Sequence, residues 1–226
     1  EGIYGWRGRH PVIMAIIAKY KFGSEQDYVK LFENVIDSIL PTLDIEIRTL
    51  ISICNIDTGI TRLSDKKIQN KLLAKMISVA PGERVPRHRL IRNLITMDQY
   101  EPAEAEIRVF RKDFREDGPV RRYRVLLLLA RAKNSPGLLD EDRIVILNEA
   151  KELAVSGIRK YKDNKYMLYT YCDVGVEIYK ISEDLSVFED AINETKKAEK
   201  YLGDPEISRK IDDYDRKILS ISDNYV

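Results

Sequence analysis

The chain has 226 residues, a formal charge of +1, 44% hydrophobic and 33% charged residues. That suits one soluble domain, or two small ones, with enough chain to bury a core. Only 8 Pro and 11 Gly are present, which favours long helices over a turn-rich all-β fold. The apolar runs, 125–130 among them, are far too short to cross a bilayer. No basic-then-apolar signal segment opens the sequence. Cys54 and Cys172 both lie in apolar stretches and read as buried free thiols of a cytoplasmic protein. The sequence starts on Glu1 rather than Met, the expectation for an internal piece of a longer protein.

In chain order, a Gly-punctuated lead (1–9) precedes a helix expected from about Pro11, with Val12, Ile13, Ile16, Ile17 and Tyr20 on one face and Gly23 closing it. Ser24 is the expected N-cap of the next helix, which buries Tyr28, Leu31, Phe32, Val35, Ile36 and Ile39 before Pro41 stops it. Asp44 is expected to cap a third helix carrying Ile47, Leu50, Ile51 and Cys54. Residues 56–63 read as a loop. Ser64 or Asp65 then caps a helix with Ile68, Leu72, Leu73, Met76 and Val79, ended by Pro81-Gly82.

Residues 84–114 read as a helical hairpin. Leu90, Ile91, Leu94 and Ile95 form the stripe of its first helix, and Ala103, Ile107 and Phe110 that of its second, with a turn around Met97-Asp98-Gln99-Tyr100. Such a pair leaves an apolar face bare and needs stacked neighbours. Pro119 starts the next helix, whose run 125–129 is apolar all round and therefore central. Asp140 is expected to cap a helix reaching about Tyr161. A Tyr-rich helix follows at 165–181, then one at 186–202 carrying Phe188, Ala191, Ala198 and Tyr201. A last helix carries Ile207, Ile211, Tyr214, Ile218 and Leu219. Roughly eleven helices and no period-2 strand predict an all-α fold. The expected division is an N-terminal helical subdomain at 1–63 and helical repeats at 64–226.

Tyr100 followed by Ala103, Ile107 and Phe110, and Phe188 followed by Ala191, Thr195 and Ala198, form a weak internal repeat. The small Ala lets a second helix approach and the aromatic plugs the turn. This pattern resembles the tetratricopeptide repeat, although no hairpin carries its Trp-Leu-Gly opening. The resemblance implies a right-handed solenoid of stacked antiparallel hairpins. At the front, Trp6 to Phe22 is similar to a segment of bacterial STAND NTPases in which an Arg-x-Arg-His-x-x-Ile element precedes helical repeats; the matching residues are Arg7, Arg9, His10 and Ile13. The stretches 80–91 and 117–132 also look like that family's repeat region. The resemblance implies the sensing or scaffold end of an antiphage defence protein, with His10 a candidate contact to a nucleotide phosphate. The chain has no Gly-x-x-x-x-Gly-Lys-Ser/Thr loop of its own, so no nucleotide hydrolysis is assigned to it.

No catalytic constellation stands out. His10 and His88 are the only histidines, with no Cys or second His at zinc-ligand spacing. The acidic clusters at 140–142 and 212–215 lack the alternation of a calcium loop. No metal, cofactor or enzymatic activity is expected of this chain. Charge is uneven: 84–133 carry 13 Lys and Arg against 7 Asp and Glu, whereas 134–226 carry 14 against 20. Arg87, Arg89, Arg92, Arg108, Arg111, Arg115 and Arg122 are therefore the leading candidates for a basic face, since guanidinium forks suit phosphates and carboxylates. Tyr166, Tyr169 and Tyr171 are candidates for a peptide-binding face. Two partner classes follow: a protein trigger or another domain of the parent chain, or a nucleic acid held by the arginines.

Overall fold

A computed structural model describes residues 24–54, 59–162 and 164–222. These residues form ten α-helices and one 3₁₀ turn, with no strand among them. The expected helix from Pro11, its Gly23 cap, the lead 1–9 and His10 lie outside the described residues. Packing divides the chain into two units, 1–89 and 90–226. The boundary falls inside one helix, Arg84–Thr96.

The first unit is built on α1 (Glu25–Ser38), α2 (Asp44–Ile53), the 3₁₀ turn Ile60–Arg62 and α3 (Lys66–Val79), and includes the start of α4 (Arg84–Thr96). Ser24 caps α1 as expected, in a reciprocal box with Asp27: the Asp27 N–H donates to Ser24 Oγ and the Ser24 N–H to Asp27 Oδ2. Asp65 caps α3 by accepting from the Lys67 N–H at 2.7 Å. Asp44 does not cap α2. It is the first helical residue, the cap position belongs to Leu43, and the Glu46 carboxylate closes the turn by accepting the Leu40 N–H. Asp44 keeps the dipole benefit of a first-turn acid, which a cap and an N1 residue share. α1 packs on α3, and Ile36, Leu72 and Met76 are fully buried. Lys71–Glu33 (3.1 Å) and Lys75–Asp37 (2.6 Å) tie the rims of this pair.

The second unit contains the end of α4 and then α5 (Tyr100–Asp113), α6 (Gly118–Asn134), α7 (Asp140–Lys160), α8 (Lys165–Ser182), α9 (Ser186–Leu202) and α10 (Pro205–Ser222). Leu90, Ile91, Leu94 and Ile95 are all buried, as are Tyr100, Ala103, Ile107 and Phe110. Each helix from α5 to α10 packs on the next, and α8 also packs on α6 and on α10. The central run of α6 behaves as its all-round apolarity requires: Val125, Leu127 and Leu129 are buried, and Leu126 and Leu128 pack against the core that holds Val125 and Leu129. Burying each such side chain contributes about 2 kcal/mol.

α8 is the most enclosed helix, with ten buried residues from Met167 to Ile178. Gly175 lets α9 approach it: a Cβ there would lie 2.7 Å from Phe188 Cα. Ala191, Thr195 and Ala198 of α9 are buried at 0% exposure, and the Thr195 hydroxyl is satisfied by donating to the Ala191 carbonyl at 2.8 Å. Small residues at these positions are what allows the close helix pair.

Three expectations in this unit change. Asp140 is the first residue of α7 and Leu139 holds the cap position. Tyr201 is 58% exposed and Leu219 63% exposed, so neither faces the core. Tyr201 instead donates its hydroxyl to the Lys162 carbonyl at 3.1 Å. Asp117 supplies the cap of α6, accepting the Val120 N–H at 3.0 Å, with Pro119 in the first turn.

Candidate functional site

Arg87 and Arg89 belong to the first unit. Arg87 is buried rather than displayed on an open basic face, and Arg89 is half-buried. Burial pushes the Cys54 thiol up to about 12, and the Arg89 charge partly offsets the rise. The remaining candidates belong to the second unit.

Most of its arginines already have carboxylate partners. Glu116, in the connection between α5 and α6, receives Arg124 at 2.9 Å, Arg121 at 3.0 Å and Arg111 at 3.6 Å. Its side chain is 12% exposed, and its carbonyl accepts the Tyr161 hydroxyl at 2.8 Å. Arg108 pairs with Glu104 one turn earlier at 3.4 Å. Arg131 reaches the same Glu104 at 2.9 Å and Glu101 at 3.8 Å. Arg115 is exposed. The +6 of this segment is therefore largely answered locally by glutamates.

Arg122 is different. It projects from α6 onto α8, where Tyr166 and Thr170 are one turn apart and share a face. Thr170 is 1% exposed. Its hydroxyl donates to the Tyr166 carbonyl at 2.8 Å and accepts Arg122 Nε at 2.9 Å. The guanidinium is thereby fixed over the Tyr166 ring, 5.4 Å from its centroid. The Lys165 ammonium lies at the same distance from that ring. Burial lowers the Arg122 pKa, the Arg92 charge lowers it further, and Asp173 opposes both. Arg92 is exposed. Neither arginine has a carboxylate within ion-pair distance among the described residues.

Tyr166 is half exposed, and Tyr169 packs edge-on to it at 6.1 Å. Tyr169 itself is buried, its hydroxyl has no hydrogen-bond partner among the described residues, and burial followed by the Glu206 charge pushes its pKa up to about 12. Lys165 is held by Asp204 at 2.6 Å and Glu206 at 2.5 Å, and the Asp204 bond leads the rise in its pKa. Tyr171 sits elsewhere, against an open groove of about 340 Å³ lined by Val155, Ile158, Asp190, Glu194 and Lys197. Charges in that groove answer one another, Lys197 pairing with Glu194 at 2.6 Å.

The structure thus joins two sequence candidates, Arg122 and Tyr166, and separates from them the glutamate-paired Arg108 and Arg111. Thr170, Lys165 and Glu116 are additions. A lone Thr four residues after Tyr166 was the only sequence signal for the first, and none pointed to Glu116 as a shared acceptor. Among the described residues, no group of three or more His, Cys, Asp and Glu is placed to hold a metal ion, and no helix is long and apolar enough to cross a membrane. Comparison with known proteins gives no match to a family model, to a curated protein or to a solved structure.

Proposed function

We propose that this chain is a protein-interaction module, a right-handed tetratricopeptide-like stack of helical hairpins. It serves as the sensor or scaffold region of a larger bacterial STAND-type defence protein. The observation that carries the reading is the packing of α8 on both α6 and α10, in addition to the contacts between successive helices. Contact between alternate helices is what one layer of a stack of helical hairpins requires. Such a layer offers a partner a continuous side-chain surface, and here it displays the half-exposed Tyr166 beside Arg122. The resemblance at Arg7, Arg9, His10 and Ile13 supports the placement in a defence protein. Its partner is a protein trigger or another domain of the parent.

The test uses the 226-residue chain as bait in extracts of infected and uninfected bacteria. A discrete protein captured from infected cells, then rebound as a purified pair, supports the sensor reading. A parent-chain domain captured from both extracts supports the scaffold reading. Capture of nucleic acid, released by nuclease and by raised salt, replaces both with the arginine-mediated alternative.

A further inference from the structure

We infer that Arg122 and Tyr166 form a docking point for an acidic protein segment. A partner's Asp or Glu carboxylate sits on the Arg122 guanidinium, and the adjoining apolar or aromatic residue lies on the Tyr166 ring. The inference rests on the interaction-module reading and names the chemistry that the module selects.

The first argument is the charge left over. Arg121, Arg122, Arg124, Arg131 and Arg143 are the half-buried arginines of the second unit. Arg121 and Arg124 share Glu116, Arg131 has Glu104, and Arg143 lies 3.9 Å from Asp140. Arg122 alone of this group has no carboxylate within ion-pair distance among the described residues. Its Nε is held by a neutral hydroxyl, and the second cation nearby, Arg92, opposes it. A partly desolvated guanidinium with no carboxylate at ion-pair distance is electrostatically incomplete. An external carboxylate completes it.

The second argument is preorganisation. Thr170 is buried and locked to its own helix, so Arg122 is aimed before a ligand arrives. Lys165 cannot swing over to serve as the missing partner, being itself a cation and fixed by Asp204 and Glu206. With Nε committed to Thr170, the Nη edge of the fork remains, and it is well suited to a carboxylate. Little side-chain entropy is lost on binding such a site.

The third argument separates a carboxylate on a protein from a polyphosphate backbone. A nucleic acid needs a continuous basic track. Here the Asp173 charge acts on Arg122, and Asp204 and Glu206 hold the Lys165 that lies over the Tyr166 ring. Residues 134–226 carry a net charge of −6. A single carboxylate followed by an apolar side chain fits between these acids, whereas a chain of phosphates meets them.

The experiment titrates ¹⁵N-labelled full chain with a fluorescein-labelled twelve-residue peptide of alternating Glu and Phe. The Gln-for-Glu peptide and a twenty-nucleotide oligothymidylate serve as comparators. The acidic peptide is expected to shift the Arg122 Nε–H resonance, and Arg122→Gln or Tyr166→Ala to weaken binding by about tenfold. Arg92→Gln, an exposed substitution that leaves folding intact, is expected to weaken it by about threefold. Arg115→Gln is expected to change nothing. Equal binding of the Gln peptide, unchanged binding by the Arg122→Gln and Arg92→Gln variants, or tighter binding of the oligonucleotide overturns the inference. A protein partner that binds the Arg122→Gln chain as well as the parent also overturns it, while leaving the interaction-module reading in place.

Discussion

Gly175→Ala tests whether the α8/α9 contact organises the second unit. The new Cβ would stand 2.7 Å from Phe188 Cα and 2.9 Å from Phe188 N. Ordinary contact starts near 3.4 Å, so the start of α9 must retreat by about 0.7 Å, and a backbone cannot rotate out of the way as a side chain can. That retreat loosens Val187, Phe188, Ala191 and Ile192, all part of the main core. Alanine gains about 1 kcal/mol of helix propensity over glycine. Overpacking against backbone costs about 3 kcal/mol. The net loss is about 2 kcal/mol, or a fall of about 4–8 °C in Tm for a chain of this size. Gly157→Ala is the control. Its Cβ would meet the mobile end of Met167, with Cε at 2.8 Å, and methionine can move aside, so the propensity gain offsets most of the cost. Thermal melts followed by circular dichroism at 222 nm compare the two. A Gly175→Ala chain that melts at or above the parent, or a Gly157→Ala chain that loses more, refutes the close-approach argument.

Glu116→Gln leaves three guanidiniums facing a neutral amide and is expected to cost about 2 kcal/mol. Because Arg111 is partly exposed, the deficit should shrink in 0.5 M salt; a Gln variant as stable as the parent in urea melts at low salt removes Glu116 as the hub. Cys54 and Cys172 are buried, with thiols pushed up to about 12 by burial. Both should resist a thiol reagent at pH 8 until urea unfolds the chain, and rapid labelling of the native protein contradicts their placement. Tyr169 and Tyr171 are both pushed up to about 12 by burial, against about 10 in an unfolded chain. The unfolded state thus releases their protons first as pH rises. Their contribution is intact below pH 10 and is lost as pH climbs from 10 through 12. The urea midpoint should fall across that window more steeply in the parent than in the Tyr169→Phe, Tyr171→Phe variant, and parallel profiles would exclude these two hydroxyls as the cause.

Helices and their buried faces were legible because period and burial are the same information. Leu90, Ile91, Leu94 and Ile95 had to face inward together, and they do. Caps were legible where the acid or hydroxyl was the last extended residue, as at Ser24 and Asp65. They were misplaced by one residue at Asp44 and Asp140, because an Asp gains from the helix dipole at either position and only backbone angles separate the two. Tyr201 and Leu219 kept the helical period into final turns where both side chains are mostly exposed. Periodicity marks a face; it does not say how far along that face another helix extends.

The candidate site was half legible for a related reason. Arg122 and Tyr166 were each singled out, one by charge and one by aromatic content, but nothing in a sequence links positions 44 apart on different helices. The packing of α6 on α8 makes that link. Charge counting was misleading in the opposite direction. Thirteen cations against seven acids over 84–133 suggests a broad basic face, yet Glu104 and Glu116 between them reach Arg108, Arg111, Arg121, Arg124 and Arg131. A carboxylate shared among guanidiniums removes more basic surface than its single charge implies, since each arginine orients its fork inward to reach it. Fold-imposed pairing therefore leaves one half-buried arginine of this unit without an acid, and that residue is Arg122, held by a hydroxyl where its half-buried neighbours have a carboxylate.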